Sequence, residues 1–240
     1  MTVPPLLIAA HGAPSCPPSQ EIWVEDLAAR VAALRGGPTL GVTLAAAKPF
    51  ARKAAQAAAL GPVIRVYPLF MTDGWFTKSQ LPRRLAAAGL APERLGILQP
   101  LGLDPGLPAL CAARAQQAAA ARGLAPAETR LVFAAHGSPR SPRPAEVTRQ
   151  VGEAARRIGG FRSLSCGFVD EEPGLEDALR GDGPAVCLPF FATRASHVLE
   201  DLPEALEAAR FAGPVAEPIG LDPGLPAMIA AAARSAPNGT

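Results

Sequence analysis

Histidine and acidic side chains near the ends of strand-like segments are the residues of this chain best suited to chemistry. His136 stands in LVFAAHGSPR and His197 opens HVLEDLP, whereas Asp170, Glu171 and Glu172 follow one another in GFVDEEP. Two imidazoles with a carboxylate nearby can hold a borderline divalent metal weakly and leave coordination positions open. Imidazole also accepts protons near neutral pH, so the same residues are candidate general bases.

An alternation of strand-like and helical segments positions these residues. The second half has strand-like runs at 130–135, 163–169, 185–190 and 214–216, with helical stretches that begin near Pro144, Gly174, Val198 and Leu225. The first half has matching runs at 6–10, 39–45, 63–68 and 95–98. Parallel strands need crossover connections, so this alternation predicts an α/β fold in which parallel sheets of about four strands are flanked by helices.

The chain contains an internal duplication. PLGLDPGLPAL at 100–110 returns as PIGLDPGLPAM at 218–228, and LLIAAHGAPS around His11 matches the segment around His136. YPLFMTDGWF likewise matches LPFFATRASH. The duplication predicts two homologous halves, 1–124 and 125–240, joined in the aperiodic stretch RGLAPAETR.

Topology predicts that the two second-half histidines converge. Ligands of open α/β sheets bind beyond the carboxyl ends of the strands, where the strand order reverses. In a 2-1-3-4 sheet His136 follows strand one and His197 follows strand three, so they would face one another across the crevice. A single histidine in such a place can be an ordinary turn residue, and the acidic run can simply favour a helix dipole. Two histidines at converging strand ends favour a site, because functional residues concentrate on such loops.

The first half lacks most of this set. Phe76 stands at the position of His197, and LAAAKP at 44–49 replaces FVDEEP without an acid. We therefore expect the second half to carry the chemistry and the first to supply a binding wall through His11, Trp75 and Phe76. The two aromatic side chains are either core residues or a surface on which a flat conjugated ligand stacks.

Two further motifs have structural and functional interpretations. Ser138, Arg140 and Arg143 follow His136, and Ser138 and Arg140 are predicted to bind substrate. The arginines could bind substrate carboxylates or face water. The repeated GLDPGLP segment is typical of a turn into a helix, with Asp104 and Asp222 as caps and the prolines Pro105 and Pro223 in the first helical position.

Composition excludes several classes of function. The 23 Lys and Arg residues nearly balance the 21 Asp and Glu residues and are scattered, which argues against a nucleic-acid groove. No apolar run approaches the roughly 20 residues of a membrane span, and no signal segment is evident, so we expect a cytoplasmic protein. The four cysteines lie far apart without a C-x-x-C pair; they are Cys16, Cys111, Cys166 and Cys187. No Gly-rich nucleotide motif is present either.

Three segments taken together resemble a known enzyme family. AAHGS, FVDEEPGLEDAL and PFFATRASHVLEDLP are similar, in that order, to motifs of the type II sirohydrochlorin chelatases, the CbiX and SirB proteins. The resemblance implies two chelatase-like lobes with a cleft between them. It also implies insertion of a divalent metal, cobalt first and iron or nickel otherwise, into sirohydrochlorin or a related tetrapyrrole of cobalamin or siroheme biosynthesis. No ATP or organic cofactor is implied.

The resemblance assigns roles residue by residue. His136 and His197 match the metal-binding and proton-accepting histidines, and Glu171 or Glu172 matches the acidic position. The implied partner is the tetrapyrrole substrate, without nucleic acid or membrane, and the protein is expected as a monomer or homodimer. One departure is that long members of the family often keep the working histidines in the first half, where Phe76 breaks the pair in this chain.

Two other functions fit parts of the pattern. A non-catalytic carrier of a metal or tetrapyrrole would need the same ligands but no proton transfer. A histidine phosphatase also has a His-Gly pair after its first strand, but Ala135 stands where those enzymes have an arginine.

Overall fold

The computed structural model describes residues 3–12, 17–193 and 200–235. His197 and Cys16 therefore lie outside the described residues. The chain divides into two compact units: unit 1 comprises Met1–Asp104 with Pro226–Thr240, and unit 2 comprises Pro105–Leu225. Each unit holds one parallel sheet, which confirms the predicted α/β fold class.

The sheet of unit 1 has four parallel strands in the order β2-β1-β3-β4. The strands are β1 (Leu6–Ala10), β2 (Thr39–Thr43), β3 (Ile64–Pro68) and β4 (Leu95–Ile97). The helices are α1 (Pro17–Arg35), α2 (Ala47–Leu60) and α3 (Leu81–Ala87), and a π-helical turn at Phe76–Gln80 leads into α3. This is the 2-1-3-4 order assumed in the sequence argument, so β1 and β3 are neighbours at the point where the order reverses.

The apolar run of each central strand explains its place in the sheet. Every residue of β1 and of β3 is buried. Leu7 and Ala9 of β1 pack in one cluster with Phe50 of α2 and Leu81 of α3. A strand that is buried on both faces must be covered by helices on both sides, as parallel sheets generally are.

The sheet of unit 2 repeats this topology with β5 (Arg130–Ala135), β6 (Ser163–Phe168) and β7 (Ala185–Pro189), in the order β6-β5-β7. Its helices are α4 (Leu107–Ala120), α5 (Arg143–Gly159), α6 (Leu175–Leu179) and α7 (Asp201–Ala208). In place of the predicted fourth strand, Val215 makes a single parallel bridge to Cys187. Pro214 precedes this bridge and Pro218 follows it, and proline cannot donate to a ladder.

The last helix of each sequence half belongs to the other compact unit. Helix α4 packs against α5 and β7 in unit 2. Helix α8 (Leu225–Ser235) lies largely in unit 1, where the guanidinium of Arg65 donates to the carbonyl of Ala233 and Arg234 donates to that of Leu34 at 3.3 Å. The compact units therefore divide the chain elsewhere than the sequence halves 1–124 and 125–240.

The GLDPGLP turns differ from the sequence prediction. Helices α4 and α8 begin at Leu107 and Leu225, which confirms the predicted start of the last helix at Leu225. Pro105 and Pro223 precede the helices by two residues, so their assignment to the first helical position was wrong. Asp222 Oδ1 accepts the Gly224 N–H at 2.7 Å and thereby closes the turn, while its Oδ2 accepts from Arg114 at 2.6 Å. Asp104 instead accepts the hydroxyl of Tyr67 at 2.9 Å.

The helices and the cysteines bear on the classes of function that the sequence excluded. Among the described residues, no helix is both long enough and apolar enough to span a membrane. Cys111 and Cys187 are buried and Cys166 is partly buried, and all three are free thiols. Burial raises the pKa of Cys166 to about 11 and that of Cys187 to about 12.

Candidate functional site

His136 stands directly after β5 at the carboxyl end of the second sheet. Gly137 follows it with φ +72°, and a Cβ there would lie 2.8 Å from Oε1 of Glu171. Glycine is the residue that adopts this left-handed conformation without steric cost. The chain therefore turns sharply after the strand and leaves the imidazole at the strand end, with 47% of its side chain exposed.

The end of β6 lies alongside His136. The N–H groups of Val169 and Asp170 both donate to the His136 carbonyl, at 3.1 and 2.9 Å. This register brings Asp170 Oδ2 to 3.3 Å from His136 Nδ1. A carboxylate on one ring nitrogen fixes the tautomer and orientation of an imidazole, and the other nitrogen is then the one that faces a metal or a proton donor.

The two predicted acidic ligands form other bonds. Glu171 Oε1 accepts the Ser138 N–H at 3.0 Å, so this carboxylate braces the loop that carries His136. Glu172 Oε2 accepts the N–H of Gly174 at 3.0 Å, within its own turn, and Glu172 is exposed. The sequence prediction had given the acidic position to Glu171 or Glu172, whereas the structure brings Asp170 to the histidine.

Asp170 was missed as a partner of His136 because the sequence shows three acids in a row and does not fix their register. The usable signal was the pairing of β5 with β6, in which Ala135 lies opposite Phe168. The first residue beyond this pair on β5 is the histidine, and Asp170 is the first acid beyond it on β6. A one-residue error in the predicted strand end, at Val169 instead of Phe168, obscured this relation.

A complete metal site is not formed by the described residues. Apart from 13–16, 194–199 and the chain ends, no three His, Cys, Asp or Glu side chains converge as ligands. His136 and Asp170 form a pair at the rim of the sheet. The convergence of His136 with His197 stays a prediction, since His197 lies outside the described residues.

The residues after His136 form a compact loop. Ser138 Oγ accepts the N–H of Arg140 at 3.2 Å, and the side chain of Arg140 is exposed. Arg143 lies 3.7 Å from Glu146, one turn along α5. Arg140 therefore has the accessibility that a substrate carboxylate would need, whereas Ser138 takes part in holding the loop.

The matching end of unit 1 carries an aromatic cluster, defined here as His11, Phe70, Trp75 and Phe76. The ring of Phe76 lies 4.2 Å from that of His11 in an edge-to-face contact, and it stacks on Phe70 at 6.1 Å. Trp75 contacts Phe76 at 5.1 Å. Trp75 is 57% exposed and Phe76 is 38% exposed, so the interpretation of these two as core residues was wrong.

Unit 1 has alanine where unit 2 has Asp170. The Ala45 N–H donates to the His11 carbonyl at 3.0 Å, which is the bond that Asp170 makes to His136. The hydrogen bonds align Ala45 with Asp170, which is one residue away from the direct alignment of LAAAKP with FVDEEP. The residue opposite Asp170 is an alanine in both alignments. A Cβ on Gly12 would meet Thr43 rather than a glutamate, and the Thr43 hydroxyl donates to Glu21 of α1.

An acidic groove of about 480 Å³ lies between α6 and α7 in unit 2. Phe168 and Val169, which immediately precede Asp170, form part of its wall. The carboxylates around it belong to Glu172, Glu176, Asp177, Asp201 and Glu204. A groove lined by one sign of charge raises the local concentration of oppositely charged ions, here cations.

Comparison with known proteins relates the whole chain to one family. The CbiX family model matches residues 5–118 and 130–236, one match for each copy of the repeat. A solved structure of CbiX, described as the terminal enzyme for biosynthesis of siroheme in denitrifying bacteria, is 46% identical with a TM-score of 0.86. That alignment covers 97% of this chain and 99% of the other.

Two more distant proteins are also similar. SirB from Bacillus subtilis, solved with Fe³⁺, shares the fold with a TM-score of 0.77 at 15% identity, over 97% of this chain and 94% of that one. A probable sirohydrochlorin cobaltochelatase of Halobacterium salinarum is 22% identical over 164 residues, which is 59% of this chain. The match spans 56% of the length of that relative.

Proposed function

The chain belongs to the CbiX family, and on that premise we propose that it inserts a divalent metal into sirohydrochlorin, with the metal and the macrocycle as its two substrates. The observation that carries the proposal is the pair of His136 and Asp170 at the carboxyl end of the second sheet. It supplies an oriented imidazole at the edge where ligands of α/β sheets bind.

The proposed reaction replaces two pyrrole protons with one metal ion. His136, whose Nδ1 lies 3.3 Å from Asp170 Oδ2, offers Nε2 either to the metal or to a departing proton. One nitrogen cannot do both at once, so a second group is needed. We propose His197 for that role, because the sequence repeat aligns it with Phe76, and the Phe76 ring lies against His11 in unit 1.

Iron and cobalt are the metals that the comparisons support. The 46% identical protein acts in siroheme biosynthesis, which supports iron, and the relative in Halobacterium salinarum is named a cobaltochelatase. Imidazole and carboxylate ligands accept both metals, as well as nickel, so availability decides between them. The sequence-based preference for cobalt becomes a proposal that Co²⁺ and Fe²⁺ are both inserted.

The remaining assignments follow from this reaction. We propose that Trp75 and Phe76 contact the flat macrocycle, supported by their exposure, and that Arg140 binds one of its carboxylates. Glu171 is proposed to act by bracing the His136 loop through the Ser138 N–H. The reaction is proposed to need no ATP or organic cofactor, to take place in the cytoplasm, and to be carried out by a monomer or homodimer.

The test is metal insertion by the purified protein, followed by the absorption change of sirohydrochlorin with Co²⁺ or, without oxygen, Fe²⁺. His136→Ala and His197→Ala are expected to lower kcat at least 100-fold, since general acid–base groups contribute about 10²–10⁴-fold. Arg83→Ala, which changes an exposed residue of α3, is the matched control and should keep the wild-type rate.

Two outcomes would contradict the proposal. If His136→Ala inserts metal as fast as the wild type, the assigned site is wrong. If the wild-type protein binds sirohydrochlorin or the metal but never accelerates insertion, the protein is a carrier of the same fold.

A further inference from the structure

A second concave site lies in unit 2 at the opposite end of the sheet from His136. The cavity has a volume of about 450 Å³ and opens near the amino ends of β5 and β7, where Arg130 and Pro184 stand. This volume falls in the range of small-molecule pockets, roughly 300–1,000 Å³. Apolar wall is contributed by Leu124, Leu179 and Phe211, and basic side chains by Arg122, Arg130 and Arg210.

The internal repeat shows why this cavity exists. In unit 1 the corresponding space holds the side chain of Arg94, which donates to the carbonyls of Ala58, Gly61 and Pro62 at 2.8–2.9 Å. The counterpart of Arg94 in unit 2 is Ala212: each stands four positions before the residue, Leu98 or Ala216, whose N–H joins the neighbouring strand. Alanine has no side chain that could reach these carbonyls, and Ala212 lines the cavity of unit 2. The carbonyls at the end of α6 accept from Arg130 instead.

A second difference between the repeats places a charge at this cavity. The chain leaves α3 in a turn at Gly89, with φ +79°, and it leaves α7 in a turn with the same hydrogen-bond pattern at Arg210, with φ +50°. Glycine is the usual residue in this left-handed position, because a Cβ makes the conformation less favourable for other residues. Unit 2 therefore has an arginine at this left-handed position, and Arg210 lines the cavity.

The guanidinium of Arg130 is held in place by hydrogen bonds at the cavity. Arg130 donates to the carbonyls of Ala178 and Leu179 at 2.5 and 3.1 Å, and to Ser165 Oγ at 3.1 Å. Burial and the nearby charge of Arg162 lower the pKa of Arg130, so the positive charges around it repel one another. Among the described residues that line the cavity, none is acidic.

We propose that this cavity binds a small organic carboxylate with an apolar or aromatic body. The carboxylate pairs with the guanidinium groups of Arg210 and Arg130, because arginine matches a planar carboxylate with two parallel hydrogen bonds. The body of the ligand packs on Leu124, Leu179 and Phe211. The six residues of β5 separate this site from His136 by roughly 20 Å, at 3.3 Å per residue, so it is distinct from the metal-insertion site.

Calorimetric titration of the full chain with 1-naphthoate tests the proposal. We expect a Kd on the order of 0.1 mM, with 1-naphthalenemethanol, which has no charge, binding about tenfold more weakly. Arg210→Gly should weaken naphthoate about tenfold while keeping the fold, because glycine suits the left-handed φ. Ala212→Arg places in unit 2 the side chain that unit 1 has at Arg94, and it should abolish naphthoate binding by occupying the cavity.

Arg83→Ala removes an equal charge from α3 and is the control; it should bind naphthoate as the wild type does. The proposal is overturned if naphthoate does not bind the wild-type protein, if the uncharged probe binds equally well, or if Arg210→Gly and Arg83→Ala have the same affinity. Metal insertion by Arg210→Gly should be unchanged, so these outcomes do not depend on the proposed chelatase activity.

Discussion

His136 Nδ1 and Asp170 Oδ2 lie 3.3 Å apart, at the ends of two adjacent parallel strands. The backbone of the same two residues is joined as well, since the Asp170 N–H donates to the His136 carbonyl at 2.9 Å. The carboxylate that lies beside the imidazole therefore belongs to a residue whose position the sheet itself determines. Both side chains remain partly exposed, 47% and 42%, so a substrate can reach them.

Asp170→Ala should lower metal insertion about 10–100-fold, which is the usual effect of removing the carboxylate behind a functional imidazole. The KM for sirohydrochlorin should change little, because Asp170 acts through His136. Asp170→Asn keeps an acceptor for the imidazole N–H and should retain more activity. Asp182→Asn removes an exposed carboxylate of the same unit and serves as the control. If Asp170→Ala and Asp170→Asn insert metal as fast as Asp182→Asn and the wild type, the positioning role of Asp170 is excluded.

Glu171→Ala should destabilise the protein by about 1–2 kcal/mol, because the Ser138 N–H loses a charged acceptor. Urea unfolding followed by circular dichroism measures this change. Glu172→Ala is the comparison, since the bond that Glu172 makes to Gly174 lies within an exposed turn, and it should cost about 0.5 kcal/mol or less. If the two alanine variants are equally stable, Glu171 does not brace the loop.

Gly137→Ala should cost more stability than Gly160→Ala, although both glycines have a left-handed φ, +72° and +68°. The new Cβ at 137 would lie 2.8 Å from Glu171, whereas nothing lies within 4 Å at 160. We expect about 1 kcal/mol for position 160 from the backbone alone, and at least about 2 kcal/mol for position 137. The same unfolding measurement distinguishes the two variants. An equal loss of stability would show that the Glu171 side chain moves away from the new Cβ without cost.

Trp75→Ala should weaken sirohydrochlorin binding about fivefold, which corresponds to about 1 kcal/mol of aromatic contact. Fluorescence titration with the macrocycle, without metal, measures this effect.

His11→Ala should reduce insertion far less than His136→Ala does, because unit 1 has Ala45 where unit 2 has Asp170. A collapse of activity in His11→Ala would instead move the chemistry to unit 1.

The buried thiols predict how alkylation depends on pH. Burial raises the pKa of Cys166 to about 11 although the charge of Arg149 partly opposes this, and that of Cys187 to about 12. At pH 8 only about 0.1% of Cys166 would be thiolate, so its reaction with iodoacetamide should be slow and should rise about tenfold per pH unit up to pH 11. Cys16→Ser is used as the background, and fast alkylation of Cys166 at pH 8 would contradict the burial.

The same shifts have a defined sign for stability. The folded protein retains these thiol protons above pH 9, where an unfolded chain loses them, so the folded state binds more protons. Their contribution to stability is therefore complete below about pH 9 and decreases as the pH rises toward 12. Cys187→Ala should flatten this decline in urea unfolding measured between pH 8 and 10.5.

Local patterns determine most of the fold, and they were sufficient to predict it. The β-branched apolar runs and the repeat predicted β1 and β5 to the residue. The 2-1-3-4 order of unit 1 agrees with the common order that the sequence argument assumed. The fourth strand of unit 2 was overestimated because the two prolines around Val215 limit its pairing to one bridge.

The site was harder to predict because it depends on register and on packing. Identifying His136 needs only its place after a strand, whereas choosing Asp170 over Glu171 needs the exact pairing of β5 with β6. The space left at Ala212 is a property of tertiary packing, and only comparison with Arg94 in the structure reveals it.

The exchange of α4 and α8 between the compact units bears on how such a chain arose. A single-repeat ancestor with this connectivity would have left its own sheet without its last helix, and its core would have closed only on pairing with another copy. Fusion of two copies then makes an intermolecular association intramolecular, so folding no longer depends on protein concentration. Once the copies were covalently linked, each could change alone, which accounts for one having Phe76 and Ala45 where the other has His197 and Asp170.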